Sequence, residues 1–570
     1  MGVVSDLKQE LSAAETDRLG YETDWRDYVD FAAPDMERQF NTARGVTLTG
    51  VQAWKRSAAK ERSRKIYDST AVYLLDRFAA GIEALTMPRN YNWHGVTFAD
   101  IFAPEPGVVE EQYFDRLRDY LFRCRSDRSG FPLSNRSVLK SVCKLGTGVM
   151  YIDENRENVG SAQMPMHYRY VPLYEIYLII DAQGNDVGFF RKRDLAAWQI
   201  AREYGGDKVS DRVKADANAP SRRGNRHVVV QACFLREGGM DNADSIRRSR
   251  FESVHFEHNT GHILRTGGFF AFPLAVRRWD RDGLSPYGSP PQARLMGDIK
   301  SLQVLCKEDL IAASNVNRPA LATSGEIEDG VDLNHGAINP GLISADGKRL
   351  YAPMVDVANP GAANPRIQDL RENLRLGLYG DLWQTLLEGN GRTATEVQVR
   401  AQEKADQLGP FSVNVQAGNV QLFDREFDII GRRGAFAPGA ALEPPESVAQ
   451  YDVTVSSTAP IDKMREAGAF QDIMAFREYL GAAAQTTPEV VQIVDPFEEA
   501  REVRKSLGLG MKGVRSDEEL QQIREQNAAE QEQMQQMQAA QGMAQVAKDA
   551  APMAKLVADQ ANGGGDVGQP

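Results

Sequence analysis

The stretch KLGTGVMYID, residues 144–153, marks the point where the hydrophobic pattern of this chain changes from helical to extended. Upstream of it, from 108 to 145, apolar residues recur at helical spacing. Downstream, β-branched and aromatic runs bounded by Gly, Asn and Pro predict strands. The predicted strands are 149–153, 174–181, 227–235 and 252–258. We therefore expect an α+β unit over roughly the first 280 residues, within a chain that is mainly helical.

Two further helices are predicted before this stretch. In the first, apolar residues keep helical spacing from Leu7 until Pro34 stops the run. The second begins at Asp68 or Ser69, both of which are suitable N-cap residues, and ends before Pro88. The region before the first strand is therefore expected to be helical.

Two helices with a leucine-rich face bracket a loop-rich insert farther along the chain. The first follows SPYGSPP (285–291) and ends near Pro319, and the second spans 366–387. The stripes consist of Leu295, Ile299, Leu302, Cys306 and Leu310 in the first helix and Leu370, Leu374, Leu378, Leu382 and Leu386 in the second. The insert between them is rich in Gly and Pro, with short strand-like pieces at 342–345 and 348–355.

The segment GRTATEVQVRAQEKADQLGPF, residues 391–411, opens another long helix. Thr393 and Glu396 form a capping box, in which the hydroxyl and the carboxylate each bind a backbone N–H of the first turn. Gly409-Pro410 predicts a kink, because proline removes one hydrogen bond of the helix and clashes with the preceding turn. The elements predicted after it are the rest of this helix to Ile430, a strand at 451–458, helices at 462–480 and 488–506, a Gln-rich helical tail at 517–556 and a disordered end at 561–570.

The composition disfavours several classes of protein. With 42% hydrophobic and 26% charged residues, the chain has the balance of a globular protein. Its four cysteines form no CxxC pair, so we expect neither a zinc ribbon nor a thioredoxin-type site. We expect the protein to occupy a reducing compartment. The longest apolar stretch, 268–276, is too short to span a membrane, and residues 1–20 lack the pattern of a signal peptide.

The charge is unevenly distributed along the chain. Of a net charge of −12, the segment 441–570 accounts for −10, with 21 acidic and 11 basic residues. Such a chain is not a general cationic nucleic-acid-binding protein. Basic clusters at 191–193, 222–226 and 247–250, and a basic run at 55–65, are interpreted as solvated faces.

No motif compels an enzyme. Neither GxxxxGK[ST] nor GxSxG occurs, and the GxGxxG string at 508–513 follows a helix, whereas a dinucleotide site needs a preceding strand. Potential metal ligands occur at His255, Glu257, His258 and His262. Because His255 and His258 face opposite sides of a strand, we interpret these residues as exposed residues of a hairpin. We expect no catalytic residue, no cofactor and no metal.

Four stretches carry a family resemblance, in this order: KIYDSTAVYLLDRFAAGIEALTMP (65–88) followed by NWHGV, KLGTGVMYID (144–153), RRWDRDGLSPYGSPP (277–291) and GRTATEVQVRAQEKADQLGPF (391–411). They resemble the early helix and tryptophan turn, the Gly-Thr-Gly approach to the first strand, the Tyr-Gly approach to the channel helices and the Thr-Ala-Thr-Glu helix start of portal proteins. Portal proteins are the head-to-tail connectors of short-tailed bacteriophages. The resemblance spans about 65–430, and the tail after 517 matches nothing that we can assign.

The resemblance implies a ring of twelve subunits at one capsid vertex, with double-stranded DNA passing through its axis. The implied parts of each subunit are an α/β wing (1–288 and 412–460), a helical stem (289–317 and 366–387), a small β-containing clip (318–365), a channel loop with the start of a kinked helix (388–411), a helical crown (461–516) and a tail (517–570).

The resemblance also implies functional residues and partners. The loop facing the channel would be Gly389, Asn390, Gly391 and Arg392, and the kinked helix above it would include Thr393, Glu396, Gly409 and Pro410. The clip, with Asp329, Asp332, His335, Asp346, Lys348 and Arg349, would meet the packaging terminase and later the tail adaptor. Capsid and scaffolding proteins would be further partners of a virion protein that is assembled in the host cytoplasm, with no membrane involved.

The residues themselves support a ring around a channel. The two leucine-striped helices have more apolar face than one hairpin can cover, which favours packing against identical neighbours. Residues 289–390 contain 9 basic and 13 acidic side chains, a net charge of −4 that keeps DNA sliding rather than bound. Arg392 would add one sparse contact per subunit, and it is equally interpretable as an ordinary loop arginine.

Two alternatives stay open at this stage. A magnesium-dependent nuclease or hydrolase would need a compact carboxylate cluster, and no such cluster is marked in the sequence. Another ring-forming head–tail protein, such as a tail adaptor, is the nearer alternative. Adaptors are usually shorter and lack the series of helix, insert, helix and capped helix.

Overall fold

The change of pattern at residue 146 is a boundary between two elements. The computed structural model places a helix, Phe131–Leu145, directly before a strand, Thr147–Glu154. Gly146 ends the helix with φ of +82°, a left-handed conformation that glycine adopts readily. The structure describes residues 2–39, 66–155, 164–236, 249–317, 321–323, 342–353, 364–380 and 409–485, with short pieces between 487 and 541.

The described residues form a mixed structure, 54% helical and 19% strand, which confirms the α+β expectation. The α-helices are α1 (Gly2–Phe31), α2 (Thr70–Thr86), α3 (Val108–Cys124), α4 (Phe131–Leu145), α5 (Ala197–Tyr204), α6 (Asp211–Asn218), α7 (Met296–Asn317), α8 (Asn364–Gly377), α9 (Gly409–Arg432), α10 (Glu446–Ala449) and α11 (Pro460–Ala484). The strands are β1 (His94–Phe98), β2 (Thr147–Glu154), β3 (Met166–Val171), β4 (Ile176–Ile180), β5 (Asp186–Ala196), β6 (Arg226–Leu235), β7 (Phe251–Glu257), β8 (Ile263–Phe269), β9 (Leu274–Arg278), β10 (Leu321–Thr323), β11 (Tyr351–Pro353) and β12 (Val453–Ser457).

Strands β4 to β8 form a five-stranded antiparallel sheet in chain order. Side chains alternate between the two faces of a sheet. On one face, Phe190 and Phe256 pack against Leu11 of α1. On the other face, cross-strand pairing aligns a polar row of Arg191, Gln231, His255 and Arg265. Helix α1 therefore covers one face of the sheet, and the other face carries this polar row beside apolar residues such as Phe189 and Val229, which are buried in separate clusters.

Strand β2 is the centre of a second, three-stranded sheet in the order β3-β2-β9. At the start of β2, the backbones of Gly146 and Gly288 cross. A β-carbon at 146 would overlap the carbonyl oxygen of Gly288, and one at 288 would lie 2.6 Å from that of Gly146. The N–H of Gly288 donates to Thr147 Oγ1 at 2.8 Å. The motifs KLGTG and SPYGS are thus the two sides of one close backbone crossing.

The widest hydrophobic cluster joins early and late parts of the chain. Phe78 of α2, Leu117 of α3, Val142 of α4 and Phe423 of α9 are buried together in it. Strand β1 pairs antiparallel with β12, with Val96 opposite Val455. Segments more than 300 residues apart in sequence therefore share one core.

The insert between α7 and α8 contains short antiparallel strands. Leu321 of β10 pairs with Pro353 of β11. Next to β11, the N–H of Ser344 donates to the Lys348 carbonyl at 2.8 Å, and the N–H of Leu350 donates to the Leu342 carbonyl at 2.9 Å. The strand-like pieces predicted from the sequence are confirmed as parts of this hairpin, residues 342–350, and of β11.

The predicted length of the second leucine-striped helix is wrong. Helix α8 ends at Gly377, whereas the periodicity predicted a helix to 387. Residues 378 and 379 form a turn, in which Tyr379 has φ of +56°. Leu378 is nevertheless buried. The spacing of four residues between apolar side chains therefore continues through the turn, and the sequence pattern does not reveal that the helix ends at Gly377.

Candidate functional site

Helices α7 and α8, which flank the insert, pack against each other and against α2. Ile299 and Leu302 of α7 share a buried cluster with Leu370 and Leu374 of α8 and with Leu75 of α2. In α8 the step of four places its leucines on one face. In sequence the insert is therefore flanked by two helices that pack against each other, the α7–α8 pair.

A polar junction fixes the α7–α8 pair to the start of α2. Gln303 Oε1 accepts hydrogen bonds from the backbone N–H groups of Tyr67 and Asp68, at 2.7 and 2.9 Å, and its Nε2 donates to the Asp68 carbonyl at 2.8 Å. The Asp68 carboxylate accepts from the Thr70 N–H at 2.8 Å and from Arg371 Nη2 at 2.8 Å. Burial alone would raise the pKa of Asp68, but hydrogen bonds from Thr70 and Arg371 outweigh it and hold the pKa below its usual value.

Several apolar side chains of the α7–α8 pair face solvent. Their exposed fractions lie between 44% and 58%. They are Val304, Leu310, Ile311 and Val316 on α7 and Leu376 on α8. Single exposed apolar residues are common, but a group on one helix pair is typical of an interaction surface.

Most basic side chains of the α7–α8 pair form ion pairs with carboxylates. Lys300 Nζ lies 2.7 Å from Asp27 Oδ2, Arg371 Nη2 lies 2.8 Å from Asp68 Oδ2, and Arg375 pairs with Glu372 in the same helix at 3.8 Å. Across the two helices five basic residues balance five acidic ones. The pair thus presents no concentrated positive charge to an anion such as DNA.

The chain leaves α8 along a fixed path. The ring of Tyr379 stacks on Phe78, with centroids 5.4 Å apart and an interplanar angle of 12°. At Gly380 a β-carbon would lie 2.9 Å from the Arg375 carbonyl oxygen and 3.2 Å from Leu74 Cδ2. The residues that directly follow α8 therefore pack against α2, before the predicted channel loop begins.

The structure places only some of the residues implied by the resemblance. Asp346, Lys348 and Arg349 are exposed on the 342–350 hairpin. Gly409 and Pro410 are the first described residues of α9, so the predicted kink at 406–410 lies mostly outside the described residues. Also outside them are Gly389, Asn390, Gly391, Arg392, Thr393 and Glu396 of the channel segment and Asp329, Asp332 and His335 of the insert.

The prediction that the residues of the histidine-rich hairpin are exposed is correct for His262, whereas His258 is half-buried and His255 and Glu257 are buried. His255 and Glu257 are only 5% and 3% exposed. The Glu257 carboxylate accepts hydrogen bonds from the N–H and the hydroxyl of Ser210, at 3.0 and 2.6 Å. Burial, reinforced by nearby arginines, lowers the pKa of His255 to about 2, so its ring is neutral. Throughout the described part of the chain, no group of three or more His, Cys, Asp or Glu side chains is placed to hold a metal ion.

The basic cluster at 191–193 is likewise not a solvated face. The side chains of Arg191 and Arg193 are 8% and 9% exposed, and they pair with Glu175 and Glu203 at 3.0 and 2.7 Å. The cluster at 222–226, by contrast, is largely exposed, as predicted. A run of basic residues in sequence does not reveal whether the cluster is buried or exposed, because the acidic partners of Arg191 and Arg193 lie outside the run.

None of the helices described here is both long and apolar enough to cross a lipid bilayer.

A family comparison identifies the chain. The family model of the bacteriophage head to tail connecting proteins matches residues 4–512. This chain belongs to that family. Among its relatives is the portal protein of Salmonella phage epsilon15, 24% identical over 556 residues, which cover 95% of this chain and 94% of that protein. Another is the probable portal protein of Bordetella phage BPP-1, 25% identical over 543 residues, 91% of this chain and 90% of that protein. The resemblance seen in the four stretches is confirmed.

Sequence reasoning missed a buried ionic network in this connector protein. Glu426 of α9 accepts hydrogen bonds from Arg125 at 2.9 and 2.6 Å and from the Tyr168 hydroxyl at 2.6 Å. The paired side chains are 2% and 0% exposed. Arg125 also lies 2.9 Å from His94 Nδ1. The one available signal was an acidic residue on the predicted apolar face of the helix around Phe423, and its partner is 301 residues away.

Proposed function

We propose that this chain is the subunit of a phage portal, a ring-shaped channel at one vertex of the capsid. The observation that carries the proposal is the match to two portal proteins over at least 90% of their lengths. This coverage supports a portal rather than a shorter tail adaptor. In this role the protein is structural, serving genome packaging, DNA retention, tail attachment and DNA ejection.

The ring would be built from copies of the α7–α8 pair standing side by side. Leu310 and Ile311, 57% and 50% exposed, supply apolar surface that a neighbouring copy would cover. A repeated head-to-tail contact of this kind closes into a ring when its rotation is right. Twelve subunits are proposed, as in the family.

Double-stranded DNA would pass along the axis of this ring. A channel dense in free arginine would bind phosphates and release counterions, which slows movement. Here the α7–α8 pair has balanced charge and engages Lys300, Arg371 and Arg375 in ion pairs. This supports a channel in which DNA slides, with Gly389–Arg392 as the loop that contacts it sparsely.

The ends of the α7–α8 pair would serve different partners. The insert would be the clip, contacted by the terminase during packaging and by the tail adaptor afterwards, and its exposed Asp346 and Lys348 suit polar contacts. The wing (1–288 and 412–460) would lie outside the channel, near capsid and scaffolding proteins, and 461–516 would form a crown. The ring would assemble in the host cytoplasm and stay in the virion.

Electron microscopy of the purified chain tests the proposal. Negative-stain class averages are expected to show rotationally symmetric particles with a central hole. A homogeneous monomer under conditions that resemble those of capsid assembly would contradict it.

The channel loop has its own test. Arg392→Ala is expected to leave the rings intact and to change DNA packaging or retention, because it removes one phosphate contact per subunit. Arg89→Ala, at a side chain 60% exposed in the proposed wing, serves as the control and should leave both unchanged. Loss of rings in the Arg392 variant would show that the loop is misplaced.

A further inference from the structure

A polar cleft lies between the three-stranded and the five-stranded sheet. It has a volume of about 780 Å³. Its walls come from the ends of β2 and β3 on one side and from β7 and β8 on the other. The lining residues used below are Asp153, Glu154, Arg169, Glu203, Ser253, His255, Arg265 and Gly267. A cleft of this size is in the range that holds small ligands.

One buried hydroxyl group in the lining of the cleft has no hydrogen-bond partner among the described residues. It belongs to Ser253, which is 2% exposed. Gly267 lies opposite it on β8, and nothing lies within 4 Å of the place where a β-carbon of Gly267 would be. Buried polar groups are nearly always satisfied, so an orphaned hydroxyl under open space indicates a missing partner.

A chain of hydrogen bonds orients His255 as a donor. Arg193 Nη2 donates to the Tyr204 hydroxyl oxygen at 2.6 Å, because a guanidinium cannot accept. The Tyr204 proton is then directed at His255 Nδ1, 2.9 Å away. A neutral imidazole that accepts at Nδ1 carries its proton on Nε2. His255 therefore offers one N–H, beside Ser253 on the same face of β7.

The carboxylates around the cleft are already paired, whereas one arginine is not. Glu203 pairs with Arg193 at 2.7 Å, and Glu154 pairs with Arg432 at 2.9 Å. Within the described residues Arg265 has no ion pair, and its guanidinium lies 5.1 Å from the Tyr204 ring. Arg265 is exposed and faces His255 across the β7–β8 pairing.

We propose that this cleft binds a small anionic ligand through a phosphate or carboxylate group. Arg265 supplies the charge, and the His255 Nε2–H and the Ser253 hydroxyl supply two further donors. Two donors that line the same cleft as a guanidinium without an ion pair among the described residues suit an oxyanion, because charge-assisted hydrogen bonds donated by a guanidinium are strong. The site lies away from the α7–α8 pair and does not depend on ring formation.

Calorimetric titration of the full chain at constant ionic strength tests the site, with inorganic phosphate and citrate as probes. Saturable binding of at least one probe in the millimolar range or tighter is expected. Arg265→Gln should weaken it at least tenfold, because it removes the charge-assisted hydrogen bonds that the guanidinium would donate. Ser253→Ala should weaken it several-fold without lowering the thermal midpoint, because the removed hydroxyl has no partner to lose.

Arg223→Gln is the matched control, since Arg223 is also an exposed arginine beside an aromatic ring, 5.8 Å from that of Trp198. It should leave binding unchanged. The proposal is overturned if neither probe binds, or if Arg223→Gln and Arg265→Gln weaken binding equally. It is also overturned if a high-resolution map with the binding probe present shows only ordered water at Ser253, or if an acidic peptide binds the cleft and both small anions do not.

Discussion

At the scale of single residues, buried charges in this protein are matched by partners from distant segments. Arg125 and Glu426 are 301 residues apart, and Arg191 lies on β5 whereas Glu175 is in the short 3-10 helix before β4. A charged residue in sequence is most often a surface residue. The sequence therefore predicted solvated faces where the structure has buried pairs, and no local pattern reveals the difference.

Removal of one member of the Arg125–Glu426 pair should be costly. Glu426→Gln leaves a buried guanidinium uncompensated, a change that typically costs about 3–5 kcal/mol. Arg89→Gln breaks an ion pair whose members are 60% and 81% exposed, which typically costs less than about 1 kcal/mol. Thermal unfolding should show a much larger drop in midpoint for the first variant. Equal drops would mean that the buried pair adds nothing beyond a surface contact.

The junction at Asp68 should respond to acid. Its pKa is lowered in the folded state by Thr70 and Arg371 despite burial. A lowered pKa contributes stability that is present above the unfolded value, about 3.9, and is lost as the pH falls through the folded value. The stability difference between the wild type and Asp68→Asn should therefore be constant from neutral pH to about pH 5 and shrink in more acidic solution. A difference that grows on acidification would contradict the assigned direction of the pKa shift.

At the scale of elements, close backbone crossings explain why certain short motifs stand out. KLGTG and SPYGS stood out in sequence as the approach to the first strand and the approach to a leucine-striped helix. Their contact, Gly146 against Gly288 with the Gly288 N–H on Thr147, joins segments 141 residues apart and is visible only in the folded chain. Glycine is needed there for space as well as for its φ angle.

Gly146→Ala separates these two requirements when it is compared with Gly434→Ala. Both glycines have a positive φ, +82° at Gly146 and +79° at Gly434. A β-carbon at 434, however, would meet nothing within 4 Å. Gly434→Ala should cost about 1–2 kcal/mol for the left-handed backbone alone. Gly146→Ala should cost a further 1–3 kcal/mol or so, because the overlap with Gly288 forces the backbone apart. Chemical denaturation measures both, and matching losses would rule out the steric contribution.

Element prediction succeeded where the hydrophobic period was strong. The helices α2 and α7 and the strands β6 and β7 lie where their patterns placed them. Strand β5 was missed because the sequence Arg-Lys-Arg interrupts its apolar pattern, and these charges are satisfied by other segments. The channel loop and the clip residues came from the family resemblance rather than from any physical pattern, and most of them lie outside the described residues.

At the scale of the whole molecule, the exposed apolar residues of the α7–α8 pair suit contact with a neighbouring copy. Ile299 and Leu374 are fully buried within the pair, whereas Leu310 and Ile311 are 57% and 50% exposed. In a monomer these exposed side chains would face water. In a ring each copy would cover the next, which joins the sequence pattern to the proposed assembly.

Leu310→Ser should therefore weaken assembly without unfolding the subunit, because Leu310 is 57% exposed. Leu133→Ser provides the control, since Leu133 is 75% exposed on α4, far in sequence from the α7–α8 pair. Sedimentation velocity at equal concentrations should show smaller particles for the Leu310 variant only. Identical sedimentation of the two variants would indicate that the pair is not the principal contact between copies.

We propose that identical subunits surround a channel formed by α7 and α8. A cryo-electron microscopy reconstruction of the assembled particle tests this arrangement, because it gives the rotational symmetry and the position of both helices at once. We expect a closed ring, twelve-fold in symmetry, with the α7–α8 pairs nearest the axial opening. A particle in which these helices lie at the outer rim, away from any central opening, would contradict it.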